Sequence, residues 1–151
     1  MHVAADDLLS DVRGLLAGET DPVANAANIA AAIWQHMARI NWAGFYFLRG
    51  DTLVLGPFQG KPACVRIPLG QGVCGTAAAR GQSVVVPDVH AFPGHIACDG
   101  ASNSEIVVPL IQGGVVIGVL DIDSPEFSRF GAAERALCEA IAAAYVAALG
   151  A

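Results

Sequence analysis

The first forty residues carry two stretches with a helical period of apolar positions. Within residues 5–16, leucine and valine recur at three- and four-residue steps, the spacing of an amphipathic helix. Thr20 or Asp21 can cap a second helix with Pro22 in its first turn, and the same apolar period then continues. The pattern therefore predicts two consecutive helices, the second of which ends near Arg39.

After Asn41 the pattern changes to aromatic and β-branched residues, which favour strands. Residues 42–48 and 52–55 flank the short polar segment Arg49-Gly50-Asp51, so they predict a β-hairpin. The later elements predicted in the same way are strands over 64–67 and 83–86, a helix over 73–80, strands over 105–111 and 115–123 around Gly113-Gly114, and a helix over 132–149.

Helices at the two ends of a meandering set of strands indicate an α+β fold. We expect an antiparallel sheet that the terminal helices cover on one face. The 151 residues show no linker or repeat, and this length suits one domain with a full hydrophobic core, so we expect a single domain over residues 1–151. With 54% hydrophobic and 15% charged residues, the composition excludes disorder for the bulk of the chain.

The charge balance narrows the possible partners. Eight Lys and Arg residues against fourteen Asp and Glu residues give a net charge of -6, which repels nucleic acid backbones and anionic membrane surfaces. No apolar run is long enough to span a bilayer. The acidic start, Asp6-Asp7, lacks the basic and then apolar order of an export signal, so we expect a cytoplasmic protein.

The four cysteines contain no Cys-x-x-Cys pair, and a reducing compartment argues against a permanent disulfide framework. Cys138 lies among apolar residues of the last predicted helix, so we interpret it as a small buried hydrophobe. Cys64, Cys74 and Cys98 each lie beside a turn or loop. They leave two hypotheses open: a zinc site completed by His95, and a redox pair formed by a nucleophilic and a resolving cysteine.

Residues 88–103 form an irregular segment with Pro93, two glycines, two histidines and Cys98 but no sustained period. Long irregular segments in small domains are often functional, so we expect an active-site loop here. A nearby histidine can lower the pKa of Cys98 and make it nucleophilic, whereas the adjacent Asp99 acts in the opposite direction.

Asp121 and Asp123 lie two apart in an otherwise apolar strand, so both side chains leave the same face. A two-residue hairpin loop would place Glu105 opposite Ile122, pointing away from both. A three-residue loop that includes Gln112 would place Glu105 opposite Asp121 and create a three-carboxylate cluster. Such a cluster repels itself and raises at least one pKa, but acids facing water at a strand end remain the alternative.

Trp42 and Tyr46 lie four apart on the first predicted strand and therefore on one face. Together with Phe58 they could form the wall of a pocket for a small apolar or sulfur-bearing group. Packing in the core is the alternative interpretation of these aromatic residues.

Several strings, in the same order along nearly the whole chain, resemble the free methionine-(R)-sulfoxide reductases, a family of stand-alone GAF domains. They are Asn41–Tyr46, Leu55–Lys61, Gly72–Ala77, His95–Asp99 and Gly118–Ser124. The resemblance implies a GAF fold and the thiol-dependent reduction of free L-methionine (R)-sulfoxide to L-methionine, with no metal or organic cofactor. A GAF domain that senses a small molecule without catalysis is the competing hypothesis.

The resemblance also implies roles for individual residues. Cys98 matches the cysteine that attacks the sulfoxide, Cys64 the resolving cysteine, and Cys74 a second pocket cysteine that can also enter a disulfide. The remaining matches are the acidic residues Glu105, Asp121 and Asp123, which hold and protonate the sulfoxide region, and the aromatic pocket residues Trp42 and Tyr46. A thioredoxin-like dithiol would reopen the disulfide, the loop over 88–103 is a candidate lid for the pocket, and the terminal helices are a candidate homodimer surface.

Overall fold

The computed structural model describes residues 3–95 and 100–150, with side chains from residue 7 onward. The helices among these residues are α1 (Val3–Leu16), α2 (Pro22–His36), α3 (Gly72–Arg80) and α4 (Ala132–Ala148). The strands are β1 (Trp42–Arg49), β2 (Thr52–Gly60), β3 (Arg66–Pro68), β4 (Val84–Val86), β5 (Ser104–Gln112) and β6 (Val115–Ser124), and a 3-10 turn covers Val89–Ala91.

The described strands form one antiparallel sheet with the order β3-β2-β1-β6-β5-β4. Helices α1, α2 and α4 bury their apolar stripes against one face of this sheet. Leu8 and Ile141 on the helices share that core with Phe45, Ile106 and Leu120 on the strands. The predicted α+β class, with an antiparallel sheet and the terminal helices on one face, is confirmed.

The opposite face of the sheet carries a second, smaller core under α3. Val107 and Val119 point to this face, whereas their neighbours Ile106 and Leu120 point to the helices. This alternation follows from the two-residue period of a strand. Because both faces are covered, β5 and β6 are buried on both sides near their centres, and polar side chains there are costly unless they serve a site.

The helix boundaries follow local capping chemistry. Asp21 caps α2 by accepting hydrogen bonds from Val23 N at 3.0 Å and Ala24 N at 2.8 Å, as predicted. The helix ends at His36, earlier than predicted near Arg39, because Met37 adopts extended backbone angles, φ -98° and ψ 111°. None of the helices in the described ranges is long and apolar enough to span a bilayer.

Two strand predictions need correction. Strand β2 continues to Gly60 instead of ending at residue 55, because β1 pairs with it along most of its length. Strand β3 begins at Arg66, so Cys64 precedes the strand instead of lying in it, and only residues 66–68 pair with β2.

The register of the β5–β6 hairpin differs from both registers predicted. Gly113 and Gly114 have positive φ angles of 58° and 80° and form the two-residue turn. A register shift between Leu110 and Ile111 then places one extra residue on β6, so that Glu105 pairs opposite Asp123. The predicted three-carboxylate cluster therefore forms through this bulge and not through a three-residue loop, because Glu105 and both aspartates share one face.

Candidate active site

A pocket lies on the sheet face opposite the terminal helices. Its floor comes from β1, β5 and β6, and its walls come from the start of α3 and from five further residues, Pro62, Ala63, Ile67, His95 and Ser102. The residues that line it are Trp42, Tyr46, Pro62, Ala63, Ile67, Gly72, Val73, Cys74, His95, Ser102, Glu105, Asp121 and Asp123. Each predicted substrate-binding residue is in this set.

Three carboxyl groups converge on the pocket floor. Glu105 on β5 is 8% exposed and Asp121 on β6 is 5% exposed, so the alternative that these acids face water is wrong for both. Asp123 is partly exposed and lines the same pocket. The bulged register is what positions them, because Glu105 lies directly opposite Asp123 and on the same face as Asp121.

Burial is the main cause of the altered acidity of these groups. It raises the pKa of Glu105 well above its usual value, and the adjacent Asp121 carboxyl raises it further. Burial also raises the pKa of Asp121, with repulsion from Asp123 acting in the same direction. Coupled buried carboxyls of this kind retain a proton near neutral pH, so the site holds a carboxylic acid able to donate it.

Cys74 lies in the first turn of α3 and points at the acids. The residue is 4% exposed, and Sγ donates to Glu105 Oε2 over 3.9 Å. Burial, followed by the negative charge of Asp121, raises the pKa of this thiol well above its usual value. Cys74 is therefore a neutral thiol here and a poor nucleophile.

Cys74, Glu105 and Asp121 form a group of potential metal ligands within the described residues. Cys74 Sγ and one oxygen each from Glu105 and Asp121 lie within 4.8 Å of one another. The predicted zinc set is different, and Cys64 is disulfide-bonded in this structure, so it offers no thiolate to a metal. Cys98 and Asp99 lie outside the described residues.

The two predicted aromatic residues form a stacked wall. The rings of Trp42 and Phe58 are 5.2 Å apart and those of Trp42 and Tyr46 are 5.9 Å apart. Trp42 Nε1 donates to Lys61 O at 3.1 Å, and Tyr46 Oη donates to Cys64 O at 2.8 Å. Both aromatic side chains thus line the pocket and also tie the segment that carries Cys64 to the sheet.

The cysteines divide as follows. Cys74 and Cys138 are free, whereas Cys64 is disulfide-bonded. Cys138 is fully buried on α4, and burial raises the pKa of its thiol to about 12, which confirms its interpretation as a small buried hydrophobe.

The sequence interpretation missed one polar residue of the site and the contribution of the start of α3. Ser102 is 7% exposed and lines the pocket, and its Oγ accepts a hydrogen bond from Asn41 Nδ2 at 3.1 Å. No pattern in the sequence marks a buried serine at the end of an irregular loop. Gly72 and Val73 at the start of α3 also line the pocket, and the Gly70-x-Gly72 spacing before a helix is their sequence signal.

An antiparallel sheet with helices on one face and a roofed pocket on the other is the arrangement of a GAF domain, and the GAF domain family model matches residues 23–149. The chain is 62% identical over 124 residues to the free methionine-R-sulfoxide reductase of Escherichia coli K12, an alignment that covers 82% of this chain and 75% of that protein. The chain therefore belongs to the free methionine-R-sulfoxide reductase family.

Two solved structures agree with this assignment. The reduced form of fRMsr of Staphylococcus aureus superimposes with a TM-score of 0.94 at 45% identity, covering 97% of this chain and 95% of that one. The free methionine-R-sulfoxide reductase from Neisseria meningitidis, solved in complex with its substrate, has a TM-score of 0.93 at 45% identity. That match covers 96% of this chain and 87% of that chain.

Proposed function

We propose that this chain reduces free methionine (R)-sulfoxide to methionine, with a dithiol as the source of electrons. The observation that carries the proposal is the buried pair of Glu105 and Asp121 on the floor of an aromatic-walled pocket. A sulfoxide oxygen is a poor leaving group unless it is protonated, and a buried acid that keeps its proton near neutral pH supplies that proton. The family of the chain supports the same substrate.

The pocket floor suits the ammonium group of a free amino acid. Asp121 Oδ1 is buried, and no hydrogen-bond donor among the described residues reaches it. A buried carboxylate oxygen without a donor is costly, so a ligand that brings an ammonium group satisfies it. Methionine sulfoxide inside a protein chain has an uncharged amide at that position, and the proposed pairing therefore selects the free amino acid.

The start of α3 suits the carboxylate of the same substrate. Gly72 and Val73 line the pocket at the N-terminus of this nine-residue helix. Within the described part of the chain, the N-cap residue Gln71 makes no side-chain capping hydrogen bond. The backbone N–H groups of a first helical turn lack intrahelical acceptors and carry partial positive charge, which favours a bound carboxylate.

The proposed chemistry joins these binding groups to the cysteines. The Cys98 thiolate attacks the sulfoxide sulfur while Glu105 protonates the oxygen. The hydroxyl group then moves to the Cys98 sulfur as the bond between the two sulfurs and the substrate sulfur–oxygen bond break, which leaves methionine and a Cys98 sulfenic acid. The ammonium group of the substrate stabilises the negative charge of Asp121. The proton that Asp121 and Glu105 share is therefore kept on Glu105, which donates it to the sulfoxide oxygen. The sulfenic acid then condenses with the Cys64 thiol, which forms a disulfide and releases water.

The disulfide-bonded state of Cys64 supports its role as the resolving cysteine. Tyr46 holds the Cys64 backbone through its hydroxyl, so this sulfur is kept near the pocket wall. An external dithiol of the thioredoxin class then reduces the disulfide by thiol–disulfide exchange and returns the enzyme to its dithiol form. The proposed cycle uses no metal or organic cofactor and suits the reducing cytoplasm.

A chiral assay tests the proposal. Purified protein with dithiothreitol is given both sulfur epimers of free methionine sulfoxide, and the loss of each is followed by chromatography. We expect selective loss of the R epimer, whereas loss of neither epimer by folded, reduced protein would reject the activity and return the sensing hypothesis.

Two cysteine variants test the assigned order of steps. Without added reductant, Cys98→Ser should form no methionine, whereas Cys64→Ser should form about one methionine per enzyme, because chemistry precedes resolution. Equal single-turnover yields in the two variants would contradict the assignment.

A further inference from the structure

We infer that Cys74 is a positioning residue, a thiol that stays reduced throughout the cycle and fixes the proton of the catalytic acid by hydrogen bonding to Glu105. The inference rests on the proposed function and extends it to a cysteine for which that cycle has no redox step. It differs from the expectation that Cys74 also enters a disulfide, because it assigns the sulfur a hydrogen-bonding role alone.

The geometry carries this inference. Cys74 Sγ donates to Glu105 Oε2 over 3.9 Å, within the range of a sulfur hydrogen bond. Because Glu105 Oε2 accepts the hydrogen of the thiol, it cannot at the same time point a proton of its own at the thiol. The proton of the Glu105 carboxyl group is therefore left on its other oxygen, Oε1. The thiol thereby determines which oxygen of the acid is the donor.

The fold holds the thiol rigidly in this position. Gly75, the next residue of α3, packs so closely that a Cβ atom there would lie 2.5 Å from Pro68 O. The first turn of α3 is thus pressed against the end of β3, and Cys74 is buried. While Cys64 is disulfide-bonded, Cys74 remains free, which agrees with a thiol that does not take part in the disulfide.

The charges around Cys74 favour the thiol form. The titratable groups that face it are Glu105 from β5, Asp121 and Asp123 from β6 and Tyr46 from β1, and His95 lines the same pocket. The acids and burial raise the pKa of the thiol, so it keeps its hydrogen for donation. In return, the hydrogen bond from Cys74 acts to lower the pKa of Glu105, against the larger effect of burial.

The hydrogen bond from Cys74 determines the direction in which the pH profile should move when the thiol is removed. Removing a donor that favours the charged form of Glu105 raises the pKa of that acid and weakens it as a proton donor. In Cys74→Ala, the alkaline fall in kcat should move to higher pH, and kcat on the plateau should drop roughly tenfold, the effect of one hydrogen bond to an ionisable group. Cys74→Ser keeps a donor and should restore the wild-type pH profile and most of the rate.

The matched control is Cys138→Ala, which removes a cysteine that is also free and buried but lies in the core on the helix side of the sheet, so the pH profile should stay unchanged. Mass spectrometry after a single turnover, with free thiols alkylated under denaturing conditions, should find Cys74 alkylated. KM should stay within about twofold of the wild-type value in the serine variant, because the donor is retained.

Three results would overturn the inference. They are a turnover-dependent disulfide that contains Cys74, a folded Cys74→Ser variant without activity, and a Cys74→Ala profile that coincides with that of Cys138→Ala. If the alanine variant does not fold, the serine variant alone decides, because it either keeps or loses the rate. The wild-type measurement distinguishes the two possible failures. Inactive wild-type protein would reject the proposed function, whereas active wild-type protein with any of these three results would reject only this inference.

Discussion

Replacing Asp121 by asparagine should make the protein more stable and less active, and the gain in stability should grow with pH. The change preserves shape but removes a carboxyl group that is 5% exposed and repelled by Asp123. Because the folded-state pKa of Asp121 is raised, its favourable neutral form dominates at low pH. Wild-type stability is then lost as pH rises from the unfolded-state value, near 3.8, through the folded pKa. Asparagine has no such loss.

The size of the effect follows from proton linkage. Each unit by which the folded state raises the pKa corresponds to about 1.4 kcal/mol of stability. For a chain of this length, 1 kcal/mol shifts the melting temperature by roughly 2–4 °C, so each pKa unit corresponds to a shift of roughly 3–6 °C. Asp121 is buried, so solvent screens little of its interaction with the neighbouring acids. Removing Asp121 also lowers the pKa of Glu105, whose acidity it suppresses.

Thermal unfolding at pH 5 and at pH 8.5 measures the difference between variant and wild type. We expect the variant's advantage to be larger at pH 8.5, together with a raised KM and an alkaline fall in kcat that moves to lower pH. Asp51→Asn, the same change at an exposed turn position, is the matched control and should change stability by less than about 0.5 kcal/mol, as surface substitutions usually do. An advantage of equal size at both pH values, or none at pH 8.5, would refute the linkage argument.

Three further variants test other parts of the structure. Trp42→Leu removes the stacked wall and the hydrogen bond to Lys61 O, so steady-state kinetics should show KM raised roughly tenfold; an unchanged KM would contradict the aromatic wall. Asp21→Ala removes the cap of α2 and should cost about 1 kcal/mol in urea unfolding with kcat unchanged, whereas a loss of kcat would show coupling to the site. Gly118→Ala places a Cβ atom in steric conflict with Tyr46 O and should cost about 3 kcal/mol by the same measurement, and wild-type stability would show that β6 can shift.

The elements that local rules determine were predictable from sequence. The apolar period located α1 and α2, the Gly70-x-Gly72 turn located α3, and the Asp21-Pro22 pair fixed the start of α2 because capping depends on adjacent residues. The two-residue period of the strands likewise placed Asp121 and Asp123 on one face.

The register of β5 against β6 could not be predicted, because it depends on contacts remote in sequence. The two glycines gave the correct turn, but a register shift next to Leu110 displaces the rest of the hairpin by one residue. β6 pairs with β1 without irregularity from Gly118 to Asp123, so the sheet as a whole decides where the extra residue lies. The buried contact of Ser102 with Asn41 depends on the same long-range packing.

The bulge also separates the tip of the hairpin from the acids, which matters for protein engineering. Beyond the register shift, β6 is held between β1 and β5, whereas residues 111–117 form an arm around Gly113-Gly114 that does not pair with β1. A change in turn length can be absorbed by this arm without altering the pairing of Glu105 with Asp123. The hairpin tip is therefore the position at which a peptide tag or fluorophore-binding insert should be tolerated with catalysis intact, a result that kinetics of such a fusion would show.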